Sequence, residues 1–115
     1  MAGSDDLTPV EVRPTVAEGA SIAKPVRARE VLAAVRRSGG ATVAVSEVEI
    51  ERALSELGRI GLYVEPTSAI AAAAFTKLLE RGVLQPTEAT VLVLTGSGLK
   101  TTRRIGELRG ALPTP

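Results

Sequence analysis

Two five-residue runs, ATVAV at 41–45 and TVLVL at 90–94, constrain this chain more than any other feature. Both are β-branched and apolar with little polar alternation, the pattern of a strand covered on both faces. Helix-like stretches lie before and between them, and that order is the order of an α/β layer with parallel strands. Two strands alone make no stable parallel sheet, which needs neighbours at its edges and helices over both faces. The runs therefore predict a partial three-layer parallel-sheet domain, with two core strands and about three main helices, that reads like a piece of something larger.

The helices announce themselves by stops and caps. After Pro25, the segment VRAREVLAAVRRSGG sets Val31, Leu32 and Val35 on one stripe and ends at Gly39-Gly40. Ser46 with Glu49 three residues later forms an S-x-x-E capping box, followed by Ile50, Ala53, Leu54 and Leu57 at helical spacing up to Gly58 or Gly61. Glu65-Pro66 opens a third, alanine-rich helix that runs to Arg81 before Gly82. One or two helical turns are expected around Arg103 to Leu108. Residues 1–14 read as an extended arm, 15–110 as one α/β segment and 111–115 as a tail, while TVAEGASIAKP has no decipherable conformation.

Composition narrows the chemistry. Of 115 residues 44% are hydrophobic, yet Tyr63 and Phe75 are the only aromatics, so the core must be built from small aliphatic side chains and is expected to be thin. There is no Cys and no His, which removes disulfides, thiol nucleophiles, imidazole bases and the usual zinc ligands. Fourteen basic against thirteen acidic residues lack the one-sided excess that favours phosphate backbones, so no nucleic-acid partner is expected. Arginine pairs such as Arg36/Arg37 and Arg103/Arg104 read as solvated helix faces. The acidic, Pro-interrupted start MAGSDDLTPVEV carries no signal-peptide pattern, and no apolar run approaches the roughly 20 residues of a membrane helix. A cytoplasmic location with no membrane partner is the expectation.

The second run leads into TGSGLKTT at 95–102. A phosphate-binding loop requires G-x-x-x-x-G-K-[ST], and here Leu99 separates the second glycine from Lys100. A dinucleotide G-x-G-x-x-G fails as well, since Thr101 stands at the third glycine. Two readings remain: a tight strand-to-loop turn needing positive φ at glycine, or a backbone left bare so that something can approach it.

Taken together, PTVAEGASIAKPVRAREVLAAVRRSGG, the capped helix, GLYVEPTSAIAAA and VLVLTGSGLK resemble the C-terminal third of threonine synthase, a fold-type-II, tryptophan-synthase-β-like pyridoxal-phosphate enzyme family. The resemblance covers roughly residues 8–108. The E-P-x-S/G-A element is shared across the superfamily, whereas T-G-x-G-L-K leans toward threonine synthase. By this resemblance pyridoxal phosphate is the cofactor, and Thr95 would present its hydroxyl to the pyridine nitrogen. Gly96 and Gly98 would let backbone pass the flat ring. Glu65 would lie beside the ring with the helix start at Ser68 behind it. Read from the residues alone, Glu65 is instead a carboxylate favoured near a helix N-terminus, Thr67 and Ser68 are first-turn hydrogen-bonders, and Tyr63 is a packed aromatic.

The family's cofactor-holding lysine and its phosphate-binding glycine loop belong to segments that precede the region of resemblance. Lys24, Lys77 and Lys100 are the three lysines of this chain, and none matches that lysine's motif. Ala23-Lys24-Pro25 also departs from the G-N-P of many members, and Thr101 stands where an acidic residue often follows the lysine. The complete enzyme of this kind converts O-phosphohomoserine to threonine and phosphate; this chain by itself is expected to have no turnover. Three accounts follow: a truncated or separately encoded segment, one half of a split enzyme completed by a complementary chain, or a non-catalytic module that self-associates as a homo-oligomer.

Overall fold

The computed structural model describes residues 11–110. The arm expected over 1–14 therefore falls outside the described residues up to residue 10, as does the whole of the tail at 111–115. Among the described residues four α-helices follow one another: α1 (Ala28–Arg37), α2 (Glu47–Arg59), α3 (Pro66–Glu80) and α4 (Thr102–Leu108). Single 3₁₀ turns at Glu18–Ala20 and Gly98–Thr101 complete the regular structure.

Helix α2 forms as its sequence predicts. Ser46 Oγ accepts the Glu49 amide at 3.3 Å while Glu49 Oε2 accepts the Ser46 amide at 2.6 Å, so both halves of the capping box are made. Ile50, Ala53, Leu54 and Leu57 are all buried. Helix α3 begins with Pro66, whose missing N–H costs nothing in a first turn, and gives way at Gly82 with φ 66°. Its alanine face lets α2 approach closely, and Ala69, Ala72 and Ala73 are buried against it. Val16, Ala17, Val64 and, from α4, Ile105 close this core. Five of its eleven buried apolar residues are alanine, which makes it as thin as the composition implied.

Helix α1 also forms and stops at Gly39 with φ 64°, although it starts at Ala28, three residues after Pro25. None of its residues is buried, and Val31 on the apolar stripe is 56% exposed. Amphipathic periodicity is a local property of the sequence; the surface that such a stripe needs is not.

The parallel sheet needs correction. Among the described residues neither ATVAV nor TVLVL forms a hydrogen-bonded ladder, and the one bridge is antiparallel, between Val64 and Ser97. Both runs are instead unpaired strips lying on the helices. Val45, Leu92 and Leu94 turn inward onto the core, while Val91 and Val93 point outward at 85% and 70% exposure. A strand is stabilised by neighbours on each edge, and the described chain offers neither strip one. Each strip packs residues onto the core on one side, and Val91 and Val93 leave the other side of the second in solvent.

Candidate functional site

The bridge between Val64 and Ser97 organises the site. In an antiparallel pairing centred on these residues, Glu65 falls opposite Gly96 and Tyr63 opposite Gly98. The backbone bonds follow that register: the Glu65 amide donates to the Gly96 carbonyl at 3.1 Å and the Gly98 amide to the Tyr63 carbonyl at 3.0 Å. Val64 points the other way, into the core. Two short segments that precede α3 and follow the second strip are thereby clamped together.

This pairing explains both glycines. Neither Gly96 nor Gly98 has positive φ, so the tight-turn reading is excluded for them. A Cβ at Gly96 would overlap the carboxyl end of Glu65, and one at Gly98 would sit 3.0 Å from carbons of the Tyr63 ring. Close approach is what the bare backbone permits. In this structure the groups that approach are the cross-strand side chains of the chain itself.

Ser68, in the first turn of α3, is 3% exposed and ties the helix to the loop. Its Oγ accepts the Gly96 amide at 2.7 Å, and lies 3.3 Å from Thr95 Oγ1 and 3.4 Å from the Gly96 carbonyl. Thr95 is exposed at the lip of this arrangement. All five residues singled out by the sequence, Glu65, Ser68, Thr95, Gly96 and Gly98, thus meet in one place, although 26 or more residues separate Ser68 from the loop.

The flanking residues have partners from distant parts of the chain as well. Glu65 is the N-cap of α3, yet its side chain makes no capping bond and lies over Gly96. Thr67 accepts the Gly19 amide at 3.2 Å, which holds the 3₁₀ turn Glu18–Ala20 against the start of α3. Tyr63, 44% exposed, donates its hydroxyl to Thr102 Oγ1 at 3.2 Å. Sequence reading missed Gly19 and Thr102 altogether, and no spacing signal links them to residues 63–68. The pairing of Gly-x-Gly with Tyr-x-Glu does carry such a signal, because both alternate with period two.

These residues suit the edge of a flat, polar ring, with an exposed hydroxyl at the lip and a buried hydroxyl behind it, while the backbone of Gly96 and Gly98 is covered by Glu65 and Tyr63. They offer no amine. Lys77 Nζ is held by Glu49 and by the Ala44 carbonyl at the α2 cap. Among the described residues no group of His, Cys, Asp and Glu could hold a metal ion, and no helix is long and apolar enough to cross a membrane.

Comparison with known proteins gives the geometry its context. The chain is 40% identical over 100 residues to threonine synthase of Methanosarcina acetivorans, covering 86% of this chain and 25% of that protein. It is 41% identical over 96 residues to threonine synthase of Methanocaldococcus jannaschii, covering 83% and 24%. Threonine synthase of Mycobacterium tuberculosis shares 32% identity over 93 residues, covering 80% and 26%. The chain thus spans about a quarter of the length of the curated relatives it matches. The family described as pyridoxal-phosphate dependent enzyme matches residues 2–96, most of the chain and nearly all of the site. On that match, this chain belongs to the pyridoxal-phosphate dependent enzyme family.

Proposed function

We propose that this chain contributes the ring-nitrogen wall of a pyridoxal-phosphate site in a threonine-synthase-like enzyme. The observation that carries the reading is the junction of Ser68, Thr95 and Gly96, where a hydroxyl buried in α3 meets the exposed hydroxyl that ends the second strip. Thr95 is the residue that meets the pyridine nitrogen. Gly96 and Gly98 keep the adjacent backbone low, and Glu65 flanks the ring. When bound, the cofactor supplies an electron sink for chemistry at carbon atoms next to an amine. A hydroxyl partner suits that task moderately, because it bonds a neutral nitrogen without holding it protonated as a carboxylate does. The complete enzyme would act on O-phosphohomoserine, releasing phosphate and threonine.

The test is Thr95→Val in the chain combined with a polypeptide that carries the family's lysine and glycine-loop segments. Altered cofactor absorbance with reduced turnover is the expected result. Spectra and rates identical to those of the unaltered pair would remove Thr95 from the role.

A second reading concerns what completes the site, and it is favoured by the outward faces of the strips. Val91 and Val93 are apolar and exposed on a segment with no ladder partner among the described residues. An unpaired edge of this kind is a template for strand addition. In this reading ATVAV and TVLVL are core strands of a larger parallel sheet, formed when a complementary chain docks, and the lone chain does not turn over substrate. Size measurement separates the alternatives: a one-to-one complex with the complementary polypeptide supports docking. A stable assembly of this chain alone, indifferent to cofactor, supports a self-associating module instead.

A further inference from the structure

We infer that Glu65 is the movable half of a two-part cover over the Gly96–Gly98 loop, with Tyr63 the fixed half, and that a flat ring reaches the Gly96 backbone only when the Glu65 side chain has swung aside. The inference rests on the reading of this loop as the seat of a cofactor ring and deepens it, naming the residue that controls access to the seat.

In an extended segment successive side chains point to opposite faces. Val64 points into the core, so Tyr63 and Glu65 share the outer face, each above the glycine opposite it. Gly96 and Gly98 are both buried although they carry no side chain, while Thr95, Ser97 and Leu99 beside them are exposed. A Cβ at Gly96 would overlap the Glu65 carboxyl, and one at Gly98 would sit 3.0 Å from Tyr63 ring carbons. These two side chains are what lies over the two glycines.

They are held differently. The Tyr63 ring is stiff, and its hydroxyl lies 3.2 Å from Thr102 Oγ1, which in turn is 3.3 Å from the Gly98 and Leu99 carbonyls. Tyr63 is thereby tied to the turn it covers. The Glu65 carboxylate has no hydrogen bond or ion pair among the described residues, and it makes no capping bond although Glu65 is the N-cap of α3. Fixing a long unbranched side chain costs rotamer freedom, and no bond here offsets that cost. Other staggered rotamers are open to this half-buried side chain, and those that turn it away leave Gly96 bare. The pairing beneath does not depend on the carboxylate, because it is the Glu65 amide that donates to the Gly96 carbonyl, at 3.1 Å. Swinging the side chain opens the loop without unmaking it.

A site that is covered part of the time binds more weakly, in proportion to the fraction that is open. The probe that tests this is pyridoxine 5′-phosphate, a ring like that of the cofactor but with no aldehyde to condense with Lys24, Lys77 or Lys100. Its affinity is read from the Gly96 and Gly98 amide shifts of the labelled full chain, with α2 and α3 amide exchange as the control for folding. Glu65→Ala should bind the probe about three- to ten-fold more tightly than the unaltered chain. Glu65→Gln, which keeps the size of the side chain, should stay within about two-fold of it. In the unaltered chain, proton contacts between Glu65 and Gly96 should be present before the probe is added and lost at saturation, with those between Tyr63 and Gly98 retained. Equal affinity in Glu65→Ala and the unaltered chain overturns the inference. So does a Glu65→Gln that binds as tightly as Glu65→Ala, since charge and not cover would then be the obstacle. Should Glu65→Ala lose helix protection, Glu65→Ser serves in its place, being short and a good N-cap. No amide shift in any of these forms overturns the seat reading and the inference with it, whereas shifts of equal strength in all of them overturn the inference alone.

Discussion

Lys77 Nζ lies 2.9 Å from Glu49 Oε1 and 3.0 Å from Oε2, and the same ammonium donates to the Ala44 carbonyl at 2.9 Å. One side chain of α3 thereby holds the cap of α2 and the end of the first strip. This is how a chain with few large apolar residues keeps its helices in register next to a strip that has no ladder.

The pairing sets a pH dependence. The Ser46 amide, then the Lys77 ammonium and the Ser46 hydroxyl, hold the Glu49 carboxyl at about 2, below its ordinary 4.5. A carboxylate depressed on folding stabilises the native state above its unfolded value and loses that contribution as pH falls through the folded one. Helix content measured by circular dichroism should therefore fall between pH 4.5 and about 2. Glu49→Gln should be less stable at neutral pH and flatter across that window. A variant as steep as the unaltered chain would assign the acid transition to other groups.

Glu47 makes a second, separate attachment. Its carboxylate accepts the Thr15 hydroxyl at 2.6 Å and the Val16 amide at 2.7 Å, pinning the Thr15–Val16 segment to the first turn of α2. These two bonds, with a smaller contribution from Arg104, hold its pKa below the ordinary carboxylate range. Glu47→Gln should speed exchange of the Val16 amide and open the segment around it to proteases, with α2 and α3 still protected. Equal exchange at Val16 in both forms would mean that burial of Val16 and Ala17 suffices.

The thin core makes single truncations expensive. Leu54 is 5% exposed in a core where five of the eleven buried apolar residues are alanines, side chains too short to reach into a cavity. Leu54→Ala should cost about 2–5 kcal/mol, a large share of the total for a small domain. Urea unfolding checks this; a loss under about 1 kcal/mol would mean that the contact is loosely packed.

Gly96→Ala should be a conflict with one identifiable partner. The new methyl meets the flexible end of Glu65, which can move, so the expected loss is at the low end of the roughly 1–3 kcal/mol typical of overpacking. Adding Glu65→Ala should restore most of it, a non-additivity that a double-mutant cycle reads. Gly98→Ala meets the stiffer Tyr63 ring and should cost more. Strictly additive losses at positions 65 and 96 would mean that the two residues do not touch in solution.

Much of this protein could be read from residues close together in the chain. Ser46 and Glu49, the spacing of Ile50 to Leu57, Pro66 at the head of α3 and the glycines after each helix act within one or two turns, so the helices follow from local chemistry. The residue set Glu65, Ser68, Thr95, Gly96 and Gly98 was legible too, as a motif. Only the tertiary structure decided what those residues do for one another: that Gly96 and Gly98 are bare because Glu65 and Tyr63 lie across from them, and that Ser68 reaches Thr95. It also decided that ATVAV and TVLVL, whose composition asks for burial on two faces, receive it on one. Helical hydrogen bonds close within four residues, whereas strand pairing and side-chain convergence depend on distant segments, whose presence no local pattern encodes.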